Sequence, residues 1–149
     1  MPGIVSLPTI RGLNIKWQQN VLSAVSASTT DLTLTEAGRL ADLLGIARLR
    51  NLENLVIHGS RSLSLQGVGE LAALTSLTLD SIKRVTDTSC VLEAPALRRL
   101  TLENCPDVDQ PEALLAFRGQ VRIIGRHPFS LDFQASVGPS WTFPPGWRA

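Results

Sequence analysis

The sequence predicts an α/β fold: a short solenoid with about six parallel strands on its concave face and short helices or turns on its convex face. Two recurrences and an alternation predict it. Leu74-Thr75-Ser76-Leu77-Thr78-Leu79 and Leu97-Arg98-Arg99-Leu100-Thr101-Leu102 both read leucine, two variable residues, leucine, one variable residue, leucine, and they lie 23 residues apart. A third copy, Leu52-Glu53-Asn54-Leu55-Val56-Ile57, stands 22 residues before them. A period of about 20–29 residues marks stacked units, none of which can bury its apolar side alone. Within the first two copies the last two apolar positions alternate with polar ones, and Val56 takes the middle place in the third. That is the period of a half-buried strand.

The same frame extends outward. Aligned on the second leucine, the series is Leu13, Leu32, Leu55, Leu77, Leu100 and Val121, at spacings of 19, 23, 22, 23 and 21. Two residues on stand Ile15, Leu34, Ile57, Leu79, Leu102 and Ile123, all aliphatic. Strands are therefore expected at about 12–16, 31–35, 54–58, 76–80, 99–103 and 120–124. The intervening segments are long enough for parallel crossovers. Thr35 to Leu44 places Leu40, Leu43 and Leu44 at helical spacing behind a capping Thr35. Gln66 to Ala73 reads as a weaker helical turn, since each glycine costs about 1 kcal/mol relative to alanine. Thr88 to Glu93 allows one turn before Pro95. Asp109, Pro111 and Glu112 form a helix start for Ala113 to Phe117, with Asp109 as the capping acceptor.

With these motifs in place, the chain resembles the leucine-rich repeat proteins. Leu100-Thr101-Leu102-Glu103-Asn104-Cys105-Pro106-Asp107-Val108-Asp109 is similar to the cysteine-containing subtype of that family: Cys105 stands where many repeats carry asparagine. Val85-Thr86-Asp87 resembles its valine/isoleucine-Thr-Asp element. Neighbouring repeats carry Ser60 and Ile82 at the cysteine position, so no continuous asparagine ladder exists and the chain is a divergent member. The resemblance spans roughly residues 10–125 and is most specific in the three central repeats. It implies a non-enzymatic module for protein–protein interaction. For a short standalone repeat protein it also admits adaptor, toxin–immunity or effector roles.

Composition narrows the class. The 149 residues suffice for one domain with a sizeable core. With 14 basic and 13 acidic residues the net charge is +1, and a nucleic-acid partner is not expected. No apolar run is long enough to span a membrane. Met1 to Ile10 lacks a charged leader and a long apolar block, so a cytoplasmic protein is expected. Two cysteines, Cys90 and Cys105, are too few for a disulfide scaffold.

Residues 1–126 read as the solenoid with its N-terminal cap, where Trp17 is placed to cover the first edge. Residues 127–149 depart from the repeat and hold five of the seven aromatics: Phe129, Phe133, Trp141, Phe143 and Trp147. Leu131 and Phe133 suggest one further short strand. The stretch from Gly138 to Trp147 is too rich in proline and glycine for a helix or a central strand. A repeat stack needs a cap over its last apolar face, and this segment fits that role. The alternative is that Trp141, Phe143 and Trp147 contact a partner or pair two copies into a homo-oligomer.

Functional residues are expected on the outward faces of the strands, whose matching positions form ladders about 4.8 Å apart. The first column is Gly12, Asp31, Asn54, Ser76, Arg99 and Gln120; the middle one is Asn14, Thr33, Val56, Thr78, Thr101 and Arg122. The third is Lys16, Thr35, His58, Asp80, Glu103 and Ile124. The partner-binding set is Asn54, Val56, His58, Ser76, Thr78, Asp80, Arg99, Thr101, Glu103 and Arg122. His58, Asp80 and Glu103 raise the question of a metal or acid–base site. No second histidine is at hand to complete a ligand set, so an acidic patch with a histidine edge is the simpler expectation. Arg99 and Arg122, with Arg98 and Arg118 nearby, suit a partner's carboxylates or internal pairing with Glu103. Both cysteines are expected as small buried fillers, and Gly67-Val68-Gly69 as a turn rather than a phosphate loop. No catalytic residue, metal or cofactor is expected.

Overall fold

The computed structural model of the chain describes residues 12–16, 25, 28–38 and 40–144. Strands β1 (Gly12–Lys16), β2 (Asp31–Thr35), β3 (Asn54–Ser60), β4 (Leu63–Ser64), β5 (Ser76–Ile82), β6 (Arg84–Thr86), β7 (Arg99–Glu103), β8 (Asp107–Val108), β9 (Gln120–Ile124) and β10 (Trp141–Thr142) build two parallel sheets. The larger has the order β1-β2-β3-β5-β7-β9-β10 and the smaller β4-β6-β8. From β3 to β9 the chain passes alternately through the two. The fold is α/β with a dominant parallel sheet, and all six expected strands lie where the leucine spacing puts them. β3 and β5 run on to Ser60 and Ile82, two residues past the expected ends.

Alternation holds the larger sheet together. Leu32, Leu55, Leu77, Leu100 and Val121 pair in register, as do Leu34, Ile57, Leu79, Leu102 and Ile123. Every one of these side chains is at most 2% exposed. Burying each contributes about 1.5–3 kcal/mol. Their interstrand neighbours are near-copies, so every inward position of one strand rests on the same position of the next.

A left-handed corner recurs at the same position along β2, β3, β5, β7 and β9. The residue after the third outward position is left-handed every time: Glu36, Gly59, Ser81, Asn104 and Gly125 have φ of 51°, 79°, 58°, 52° and 67°. Beyond the corners at Gly59, Ser81 and Asn104 the chain enters the smaller sheet. A second left-handed residue, Gly67, Asp87 or Gln110, then precedes each short 3₁₀ helix at Val68–Glu70, Thr88–Glu93 and Pro111–Ala116.

The expected turns after Gln66, at Thr88–Glu93 and after Pro111 are present as short 3₁₀ helices, whereas the helix expected over 35–44 is absent among the described residues. Thr35 ends β2, Glu36 turns left-handed, and the described part of 36–50 consists of turns and bends rather than an α-helix. The buried residues from there to the start of the next repeat include Ala37, Leu40, Leu43, Ile46, Leu49 and Leu52, three apart. Backbone bonds run Ile46 N to Leu43 O (3.1 Å), Leu49 N to Ile46 O (2.9 Å) and Leu52 N to Leu49 O (3.0 Å). Three residues per turn is the 3₁₀ period, which stacks side chains i and i+3. Val68, Leu71 and Leu74 repeat it, as do Val91, Ala94 and Leu97. Asp109 does not cap the helix at Pro111. Gln110 takes the cap position with no side-chain bond, and the Asp109 carbonyl instead accepts from Thr88 Oγ1 at 2.8 Å. Pro111 does sit in the first turn.

At the far end, Leu131 and Phe133 lie on an α-helix, Leu131–Ser136, rather than a strand. Ser130 caps it by accepting from the Phe133 amide at 3.1 Å. The added strand is β10, paired with β9 at the sheet edge. An edge position tolerates the prolines beside it. Phe129 and Trp141 are 2% and 8% exposed and belong to the same core as the leucines. Phe129 stacks on Phe133 (centroids 5.0 Å apart), and Trp141 meets both rings edge-on at 5.5 and 5.3 Å. Among the described residues no helix is long and apolar enough to cross a membrane. Trp17 and Trp147 lie outside the described residues.

Candidate functional site

The register of the larger sheet assembles the expected columns. Gly12, Asp31, Asn54, Ser76, Arg99 and Gln120 pair in one line, and Asn14, Thr33, Val56, Thr78, Thr101, Arg122 and Thr142 in the next. His58, Asp80, Glu103 and Ile124 pair in the third. Asn54, His58, Arg99 and Arg122 are exposed, while Val56, Ser76, Thr78, Asp80, Thr101 and Glu103 are half-buried. All ten therefore reach solvent on one face, because the intervening leucines and isoleucines take the other.

The third column is a bonded cluster. His58 Nδ1 lies 2.8 Å from Asp80 Oδ2, with the two side chains 48% and 22% exposed. Ser81, held at its left-handed corner, donates to Asp80 Oδ1 at 2.9 Å. Glu103 lies on the other flank of Asp80. Partial burial, then the Asp80 charge and a hydrogen bond to it, hold the Glu103 carboxyl above its ordinary pKa, against the smaller pull of His58 and Arg122. Two carboxylates on adjacent rungs share a proton more readily than two isolated ones. The cluster is thus an acidic patch with a histidine edge. Among the described residues no group of three His, Cys, Asp or Glu side chains is placed to hold a metal ion.

A second polar contact sits at the opposite end of the strands, where Asn54 Nδ2 donates to Asp31 and Thr30 Oγ1 donates to Asp31 Oδ2 at 3.1 Å. Arg98 and Arg118 flank Arg99 and Gln120 along the line where β7 and β9 begin. Arg122 lies in the middle column, near enough to lower the Glu103 carboxyl.

Cys105 is an inward filler as expected. It is 1% exposed, its thiol donates to the Leu79 carbonyl at 3.4 Å, and burial pushes its pKa up to about 11. Cys90 is only half-buried. Burial, then Glu93 and Asp87, raise its pKa as well. Neither thiol has the depressed pKa that a nucleophile needs. Of the expected tail contacts, Trp141 is buried in the core and Phe143 half-buried against it.

Sequence reasoning missed Ser81 as the donor that orients Asp80. The alternation had ended at Asp80, and nothing in a lone serine announces a left-handed corner. It also missed the Asn54–Asp31 link, although the column alignment had set the two residues side by side. No protein-family model and no curated protein matches the sequence.

Proposed function

We propose that the chain is a short, divergent leucine-rich repeat solenoid of the cysteine-containing type and that it acts as a non-enzymatic protein-binding module. The outward face of the larger sheet is its binding surface. The observation that carries this reading is the in-register array of unlike polar side chains on a frame of like apolar ones. His58, Asp80 and Glu103 differ rung by rung, whereas the leucines beneath them do not. A rigid sheet that varies only in its exposed columns suits recognition of an extended partner surface, as in other repeat proteins.

The partner's side of the contact follows from charge. The Asp80–Glu103 end favours basic or hydrogen-bond-donating groups, and the Arg99 and Arg122 side favours acidic ones. A cytoplasmic adaptor, immunity or effector role belongs to the same reading. The buried Trp141 and half-buried Phe143 support a capping role for the C-terminal segment over a homo-oligomer contact.

A pull-down that compares the wild-type chain with Asp80→Arg and Glu103→Arg tests the assignment. Loss of partner recovery from both folded variants is expected. Unchanged recovery would remove the outward face as the contact. Sedimentation of the full chain against one ending at Gly125 separates the readings of the tail. A monomer that unfolds on truncation supports capping, whereas a dimer that becomes a stable monomer supports association.

A further inference from the structure

We infer that the groove at the starts of β7, β9 and β10 is a binding site for a phosphate monoester, held by Arg98, Arg99 and Arg118. The groove has a volume of about 490 Å³, and these three arginines share its wall with Gly119, Gln120 and Ser140. Among the described residues, no acidic one lines it. All three arginines are exposed, and none of them takes part in the ion pairs His58–Asp80 and Arg84–Asp107. The whole chain carries a net charge of only +1, so this is a local concentration of cations rather than a share of a basic surface.

The backbone explains why they converge. The Gln120 amide donates to the Arg98 carbonyl at 2.7 Å, which draws the segment before β9 against the segment before β7. Gly119 makes that approach feasible: a Cβ there would stand 2.4 Å from the Arg98 oxygen and 2.6 Å from the Phe117 ring. Arg118 is thereby held beside Arg98, and Arg99 follows as the first residue of β7.

Charge and geometry together select the ligand. Guanidinium groups present planar forks of donors that match oxyanions and cannot be neutralised by deprotonation. A phosphate monoester brings close to two negative charges and three terminal oxygens, whereas a carboxylate brings one charge and two oxygens. Three uncompensated arginines suit the former. Gln120 and Ser140 add neutral hydrogen-bonding groups at the rim. Arg99 also belongs to the face described above, but the site stands without that reading, because Arg98 and Arg118 lie outside it.

The test is an NMR titration of the full chain that follows arginine Nε–H and backbone amide signals. The probes are inorganic phosphate and N-acetylphosphoserine amide, with N-acetylglutamate amide as the monoanionic control. Saturable shifts confined to Arg98, Arg99, Arg118 and their neighbours Gly119 and Gln120 are expected with both phosphates, and markedly weaker ones with the glutamate probe. Tighter binding of the phosphoserine probe assigns the phosphate to a modified protein, and equal binding assigns it to the phosphate of a small-molecule monoester. Arg98→Gln and Arg118→Gln, both at exposed positions, should each weaken binding about tenfold or more. Equal shifts with the glutamate probe, shifts scattered over all arginines, or affinity unchanged in both variants would overturn the assignment.

Discussion

The chain between β3 and β9 and the segment after β9 bury their apolar surface in opposite ways. The first repeats one solution. Each strand offers aliphatic side chains at matched positions, and each return path buries a residue every third position. The second uses a single cluster of unlike parts: a capped helix, Phe129, Phe133, Trp141 and Phe143, and an edge strand only two residues long. Repetition lets each unit rest on two neighbours, while the end must rest on one. A few large rings compensate there for the missing neighbour, because an aromatic side chain buries far more area than a leucine.

That difference should be visible in stability. Leu79→Ala removes a fully buried side chain that packs between β3 and β7, and we expect a cost of about 4 kcal/mol. The thermal midpoint should fall by roughly 10 °C in a single transition. Trp141→Ala should cost about 3 kcal/mol but act locally. Hydrogen exchange should accelerate in residues 120–144 and stay slow at 54–60. Acceleration spread evenly over the chain would show that the end is no separate unit of cooperativity.

Corner glycines sharpen the comparison on a smaller scale. Gly125 and Gly59 occupy the same left-handed corner, with φ of 67° and 79°. A Cβ on Gly59 would meet nothing nearer than 3.8 Å, whereas one on Gly125 would lie 2.1 Å from Asn104 Oδ1. That oxygen accepts from the Arg126 amide at 3.1 Å, so it cannot swing away without losing the bond. Gly59→Ala should therefore cost about 1 kcal/mol, and Gly125→Ala about 2 kcal/mol, by urea denaturation. Equal costs would mean that Asn104 moves freely.

The smallest expected effect is on pH dependence. Glu103 is held above the ordinary carboxyl pKa, chiefly by burial and by Asp80. A raised folded-state pKa in an acid stabilises the protein at low pH, and that contribution is lost as pH rises from about 4 through the raised value. Glu103→Gln keeps a donor toward Asp80 without the charge. Its stability should thus decline less than wild type over that interval. Parallel profiles for the two proteins would mean that folding does not raise the Glu103 carboxyl.

How much of this was legible from residues alone follows the same division. The Leu-x-x-Leu-x-Leu frame placed six of the seven strands of the larger sheet, because alternation over four or five residues survives in the sequence. The smaller sheet left no such mark. Leu63–Ser64 and Asp107–Val108 are two residues long, too short for any period. The return segments did carry a signal that was misread. Leu40, Leu43, Ile46, Leu49 and Leu52 recur at three, and so do Val68, Leu71 and Leu74, which is 3₁₀ rather than α spacing. Ser130 before Leu131-Asp132-Phe133 likewise announced a capped helix start where a strand was expected. In the candidate site, the columns were readable because register follows from the leucine alignment. The Ser81–Asp80 bond and the arginine groove were not, since both depend on how corners and close approaches aim side chains.

The leucines that define the frame specify stacking and say nothing about function, which the proposal assigns to the polar residues between them. Hydrogen exchange of the chain alone and with its recovered partner tests this most directly. Protection is expected over 54–58, 76–80 and 99–103, with residues 131–144 unchanged. Protection confined to residues 131–144, with the three strands unaffected, would contradict it.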